Sequence, residues 1–422
     1  KDKTVMIREL KNYVLMKVTQ ETQFEQSPVF VNSGDMPIAF VNQPTLTALL
    51  ENEGDPNEPV YLASKGLSEA SKDLPAEIQQ QYDDFLAAIE RKELIYPEGT
   101  SAVAIYENLL TNKDAESLHY NMRLRLISAL EDKTARELKA MMEETEEDNE
   151  ETEEYFSYYT AEKELEKALE LLGEDNFYYN SLKAKYLYAK GVIARWEDRT
   201  ADAINLLEEC LEVEPAAAYA YNELGVIFND EGKYDEALQL FKKAKHLAPR
   251  WSYPLNNMGI SYHKKGHADS ALVNYALAIQ HNPHLYHGYY NTGIIYYDQA
   301  IYDSAIHYNL LSIDRDPYHQ NSYYNLGLAY SENGELDKAE AQFLKVIELE
   351  GDNYESYTQL GKVAVKRMDY LQAEIYYKKA YDLKPDYVDL HLLFSNMYSE
   401  KEDYDNARKW LESGYDLDKG NL

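Results

Sequence analysis

The 422 residues are enough for about two or three globular domains, or for one extended repeat array with something attached. Their 75 acidic against 42 basic residues give a formal net charge of -33, which argues against nucleic acid and anionic membranes and favours a basic or neutral protein partner. A single cysteine, Cys210, excludes an intrachain disulfide and a zinc site built on several thiolates. No apolar run approaches the roughly 20 residues of a bilayer span, so a soluble, cytoplasmic chain without a cofactor is expected.

The start at Lys1, without a methionine, reads as that of a fragment or a processed chain. Ile7, Leu10, Val14 and Val18 share one face of a helix predicted over residues 7–18. A polar loop follows, then Ser27-Pro28-Val29-Phe30-Val31, which reads as a buried strand. The run Thr4-Val5-Met6-Ile7-Arg8-Glu9-Leu10-Lys11-Asn12-Tyr13-Val14, with Gln26-Ser27-Pro28-Val29 and Gly34-Asp35-Met36-Pro37-Ile38, resembles the closing segment of bacterial caspase-like cysteine proteases (peptidase C14). The resemblance implies that residues 1–45 end a caspase-like α/β domain. No residue here matches that family's catalytic His/Cys pair, so the pair would lie upstream of Lys1 on an associated large subunit, and no catalytic residue is expected in this chain.

Residues 46–142 read as a helical connector. Residues 41–59 are expected as loop and short helix, and residues 68–94 as one or two helices. Ser68 or Ser71 and Pro75 supply the start signals there, and Pro97-Glu98-Gly99 the stop. Further helical patterns cover 102–110 and 121–142. In the next segment, 143–183, nine of the twelve residues 143–154 are acidic. Such density suits a solvated loop or a lure for a basic partner. The helix expected over 158–172 would add to whatever stacks behind it.

From residue 184 the chain repeats. Gly191, Gly225, Gly259, Gly293, Gly327 and Gly361 recur every 34 residues, with Ser395 at the next station. Ala203, Ala237, Ala271, Ala305, Ala339, Ala373 and Ala407 follow each by 12. Small residues at both stations mark where two helices touch, and large ones such as Leu224, Phe228, Leu238 and Phe241 fill the space between. Pro215, Pro249, Pro283, Pro317 and Pro385 close five copies, with Gly351 in that place in the fifth copy and Lys419 in the last. The pattern resembles the tetratricopeptide repeat, in seven copies: 184–217, 218–251, 252–285, 286–319, 320–353, 354–387 and 388–422. Asn309 departs from it at an aromatic station and Lys190 at an aliphatic one. The fold expected is all-α, a right-handed superhelical solenoid behind the short helix-strand segment.

The resemblance implies a concave wall lined by the first helix of each hairpin. Carried onto this sequence, the inward stations hold Tyr219 and Asn222; Tyr253, Asn256 and Asn257; His287, Tyr290 and Asn291; Asn321, Tyr324 and Asn325. Asn257, Asn291 and Asn325 repeat at the 34-residue period, and a carboxamide can both donate to and accept from the main chain of an extended peptide. The alternative is that these asparagines hydrogen-bond neighbouring hairpins. The lysines and arginines with which some family members clamp an acidic tail are missing from this wall. His281, His284 and His287 surround Pro283 in a turn and are not expected to hold a metal, and Cys210 reads as a small core residue. Two functions remain in view. One is a regulatory chain of a caspase-like protease, whose groove recruits a substrate or activator protein. The other is a free-standing scaffold with no enzyme attached.

Overall fold

The computed structural model describes residues 27–30, 37–41, 74–143, 158–174, 176 and 179–420. The helix expected over 7–18, the connecting segment 42–59 and the acidic residues 144–154 lie outside them. Two compact units are present, Lys1–Met122 and Arg123–Leu422.

In the first unit, β1 (Ser27–Phe30) pairs antiparallel with β2 (Pro37–Val41), Ser27 opposite Val41 and Val29 opposite Ala39. The expected strand is present. Its antiparallel partner over Pro37–Val41 was not anticipated from the sequence. Helices α1 (Ala76–Glu90) and α2 (Ala102–Leu110) pack together. Ile78, Tyr82, Phe85 and Ala88 line the buried face of α1, at the spacing that puts side chains on one stripe. Ser101 begins α2 by accepting a hydrogen bond from the Ala104 N–H at 3.3 Å, satisfying one of the amides a helix start leaves unpaired. Helix α3 (Glu116–Glu143) is one helix of 28 residues where a shorter one was expected.

The second unit is a solenoid of helical hairpins. Helix α4 (Tyr158–Leu172) packs on α5 (Tyr179–Trp196), which pairs with α6 (Thr200–Val213). Six more pairs follow: α7 (Ala218–Asp230) with α8 (Tyr234–Leu247), α9 (Tyr253–Lys264) with α10 (Ala268–His281), and α11 (Tyr286–Asp298) with α12 (Tyr302–Arg315). Then come α13 (Gln320–Glu332) with α14 (Leu336–Glu350), α15 (Tyr354–Lys366) with α16 (Tyr370–Leu383), and α17 (Val388–Glu400) with α18 (Tyr404–Gly420). Each helix packs on its hairpin partner and each hairpin on its neighbour, and the buried apolar residues form successive clusters along the stack.

The periodic glycines have a sharper role than marking contact with the alanines. A Cβ at Gly225 would come within 2.5 Å of the Phe241 ring, at Gly259 within 2.3 Å of Tyr275, and at Gly361 within 2.2 Å of Tyr377. Glycine thus opens a slot in the first helix for a side chain 16 residues on, while the alanines at +12 are buried beside it. The turn inside each hairpin carries a left-handed residue, which is Gly232, Gly266 and Gly334 in three hairpins and Asp198, Ala300, Met368 and Glu402 in the others.

The hairpin α11–α12 departs from its neighbours. Thr292, Asn309 and Ser312 occupy stations that are Leu224, Phe241 and Ala244 in α7–α8, and all three are buried. Thr292 Oγ1 donates to Gly288 O at 2.7 Å, Asn309 Nδ2 to Ala305 O at 2.8 Å, and Ser312 Oγ to Tyr286 O at 3.1 Å. Asn309 Oδ1 has no hydrogen-bond partner.

Candidate protein-binding face

The first helices of successive hairpins bring the periodic polar residues together in a defined way. Asn257 Nδ2 donates to Asn222 Oδ1 at 3.0 Å, and Asn291 Nδ2 donates to Asn256 Oδ1 at 3.0 Å. Asn325 is hydrogen-bonded to the Tyr290 hydroxyl, and Gln359 Nε2 donates to Tyr324 Oη at 3.1 Å. The spacing of 35 residues joins one station of a hairpin to the following station of the next. Four cross-links of about 0.5–1.5 kcal/mol each thereby tie five first helices, and fix the direction of every carboxamide in the row.

This geometry sorts the residues expected on the wall. Tyr219, Asn222 and Asn256 are buried, which corrects their placement as exposed lining. The Tyr219 ring meets Tyr188 edge-on at 4.7 Å and its hydroxyl donates to Glu214 at 3.1 Å; the two asparagines face the following hairpin. Asn257, Asn291 and Asn325 are half-buried, and each uses part of its hydrogen-bonding capacity in the ladder. Asn321 is exposed, and Tyr253, His287, Tyr290 and Tyr324 are half-buried.

Around the middle of the row lies a set of rings. His287 stacks on Tyr286 at 3.9 Å, with Tyr253 at 6.0 Å and His319 at 6.2 Å, and Tyr290 meets His319 edge-on at 4.9 Å. His287 Nδ1 is buried without a hydrogen-bond partner. Burial, reinforced by His319, pulls its pKa down to about 4, so the imidazole is neutral near neutral pH. Burial likewise raises the Tyr290 and Tyr324 hydroxyls above their ordinary range, leaving them as neutral hydrogen-bonding groups.

The sequence reading missed Gln359, His319 and the pair Arg195–Glu223, whose Nε and Oε1 lie 2.5 Å apart. Extending the asparagine period one step in each direction from Asn257 and Asn325 would have reached Glu223 and Gln359. Burial pushes the Glu223 carboxyl above its usual range, against the opposing pull of Arg195.

Cys210 is fully buried, donates to Ala184 O at 3.2 Å, and has its thiol pKa pushed up to about 12 by burial, which makes it an unreactive packing residue. His281 and His284 are exposed. Among the described residues, no three His, Cys, Asp or Glu side chains are grouped to hold a metal ion, and no helix is long and apolar enough to cross a membrane.

Residues 188–250 match one family model described as tetratricopeptide repeat, and residues 320–353, 354–387 and 388–421 match a second of the same description. No curated protein sequence matches the chain. Among solved structures, the chain is similar to the C-terminal part of a TPR repeat-containing protein from Cytophaga hutchinsonii, with 22% identity, 55% of this chain and 95% of that one covered, and a TM-score of 0.43. It is also similar to the pilF protein of Pseudomonas aeruginosa, with 20% identity, 46% and 88% covered, and a TM-score of 0.42. A thermophilic TPR protein of Thermus thermophilus shows 24% identity, 43% and 98% covered, and a TM-score of 0.37.

Proposed function

We infer that this chain, which carries tetratricopeptide repeats, is a protein-binding scaffold that takes an extended segment of its partner along the face of the first helices. The observation that carries this reading is the hydrogen-bonded row from Asn222 to Gln359. It holds carboxamides and tyrosine hydroxyls at regular intervals on the first helices, beside the half-buried rings of Tyr253, His287 and Tyr290. Regularly spaced carboxamides suit the repeating N–H and C=O groups of a peptide main chain, and the rings suit its side chains. The row supplies no nucleophile paired with a base, so binding is the chemistry it supports.

The association with a caspase-like protease rests on residues 1–45 alone. The matched family models describe tetratricopeptide repeats and none describes a protease. The scaffold reading stands without that association.

Alanine at Asn257 or Asn291 would mix lost binding with loosened hairpins, because both side chains support the ladder. A photo-crosslinking residue is therefore placed singly at exposed Asn321 and at half-buried Tyr253, with Val273 on α10, 59% exposed, as the control position. Covalent capture of the partner from Asn321 and Tyr253 but not from Val273 is expected. Capture from Val273 alone would refute the assignment to the first helices.

A further inference from the structure

The end of α8 runs against the charge of the molecule. Acidic residues outnumber basic ones 75 to 42 over the chain, yet residues 237–268 contain no Asp or Glu and six Lys or Arg. Lys242, Lys243, Lys245 and Arg250 crowd the end of α8, with His246 among them. Among the described residues none of the four cations forms an ion pair; the nearest acids in sequence, Asp235 and Glu236, stand in the first turn of α8, at the opposite end of the helix, and Asp235 is engaged by Lys265 at 2.5 Å. Basic side chains at a helix C-terminus offset the carbonyl dipole. That alone does not explain the cluster, since α6, α14 and α16 end without any basic residue in the last turn.

Lys242, Lys243 and His246 also border a cleft. Pro215, Tyr221, Lys242, Lys243, His246 and Leu247 line about 350 Å³, and the lining is mostly apolar. Lys243 Nζ sits 5.1 Å from the centre of the Tyr221 ring, and Leu247 is 39% exposed. A small inorganic anion would leave the apolar wall uncovered. A long nucleic acid would extend past the basic patch onto a chain whose net charge is -33, whereas a short acidic segment stays within the patch. A short acidic protein segment with an apolar side chain meets both features. Its apolar group fills the cleft against Pro215, Tyr221 and Leu247, while its carboxylates reach Lys242 and Lys243 on the rim, and Arg250, three residues past the end of α8, adds positive charge.

We propose that the cleft at the end of α8 is a second docking site, on a second helix rather than on the first-helix row, for an acidic linear segment of a partner protein with an apolar anchor.

The test measures anisotropy of a fluorescein-labelled peptide of glutamates and aspartates around one central leucine, titrated with the full chain. Lys242→Gln with Lys243→Gln and Arg250→Gln should weaken binding about tenfold, and raised salt should weaken the wild type more than the variant. Lys264→Gln, an exposed change in the same acid-free stretch, and Asn321→Ala, on the first-helix row, should leave binding unchanged, which separates this site from the one proposed above. Replacing the peptide's leucine by serine should also weaken it. Equal binding by wild type and the triple variant would overturn the proposal. So would binding of a single-stranded oligonucleotide of matching charge as tightly as the peptide, which would mark the patch as a polyanion surface.

Discussion

Replacing Asn309 with phenylalanine tests whether polar core residues make α11–α12 the weak hairpin of the stack. Asn309 is fully buried, and its Oδ1 has no partner. Removing an unsatisfied buried acceptor gains about 1–3 kcal/mol, and a buried phenylalanine contributes roughly 1.5–3 kcal/mol. Against these stand about 0.5–1.5 kcal/mol for the lost bond to Ala305 O and about 1–3 kcal/mol of crowding. Asn309 enters the same slot as the rings: a Cβ on Gly293 would lie 2.7 Å from Asn309 Nδ2, as close as the 2.8 Å to Phe343 in the Gly327 hairpin. The net expectation is about 1–2 kcal/mol of stabilisation, local to this hairpin. Repeat arrays open in pieces, so one melting curve would blur the effect. Native-state hydrogen exchange resolves it. In the wild type, amides of α11 and α12 should be less protected than those of α7 and α8, and Asn309→Phe should raise their protection about tenfold. Equal protection of the two hairpins in the wild type, or a fall in α11–α12 on substitution, would refute the argument.

Two further perturbations test local physics. His287 has a folded pKa of about 4 against an ordinary 6.5, so between these values the unfolded chain binds the extra proton and stability is lost as pH falls. At pH 5 the loss is about 2 kcal/mol, and thermal melts of His287→Phe should show a smaller drop between pH 7 and pH 5 than the wild type. Equal drops would show that His287 is not held neutral by its surroundings. Gly361→Ala should destabilise α15–α16 by about 1–3 kcal/mol, because its Cβ would fall 2.2 Å from Tyr377, a ring 1% exposed. Tyr377→Leu in the same chain should recover part of that loss, and an unchanged melting temperature in the single variant would contradict the slot.

The hairpins were legible because the close approach of two helices admits only small residues, and Gly191 to Gly361 keep that requirement at a constant period. The stacking of one hairpin on the next was less legible. Tyr219, Asn222 and Asn256 stand at stations that the repeat places inward, yet neighbouring hairpins cover them: the Tyr188 ring lies against Tyr219, and Asn257 and Asn291 bond the two asparagines. Asn321 is exposed and Asn257 and Asn291 are half-buried on the first helices; Tyr290 and Tyr324 were placed on this wall but not as hydrogen-bonding members of a ladder, and Gln359 went unseen because it differs in type from asparagine. The left-handed turn residue escaped notice for the same reason. Asp198, Ala300, Met368 and Glu402 adopt its backbone without glycine's signature, at a cost of about 1–2 kcal/mol each. Helix α3 ran longer than expected, from Glu116, because the residues before its apolar pattern are ordinary helix formers.

The glycine slot has a consequence for how the chain can change length. Ring and slot lie 16 residues apart, on two helices joined by a turn, and the ring meets the slot only if that turn keeps its length. One inserted residue before the ring would swing it by about 100° around the second helix and carry it roughly 1.5 Å along the axis, facing it away from its glycine. Growth of the molecule is thereby confined to the connections between hairpins, or to whole added copies of 34 residues, and the turn inside each hairpin is closed to it.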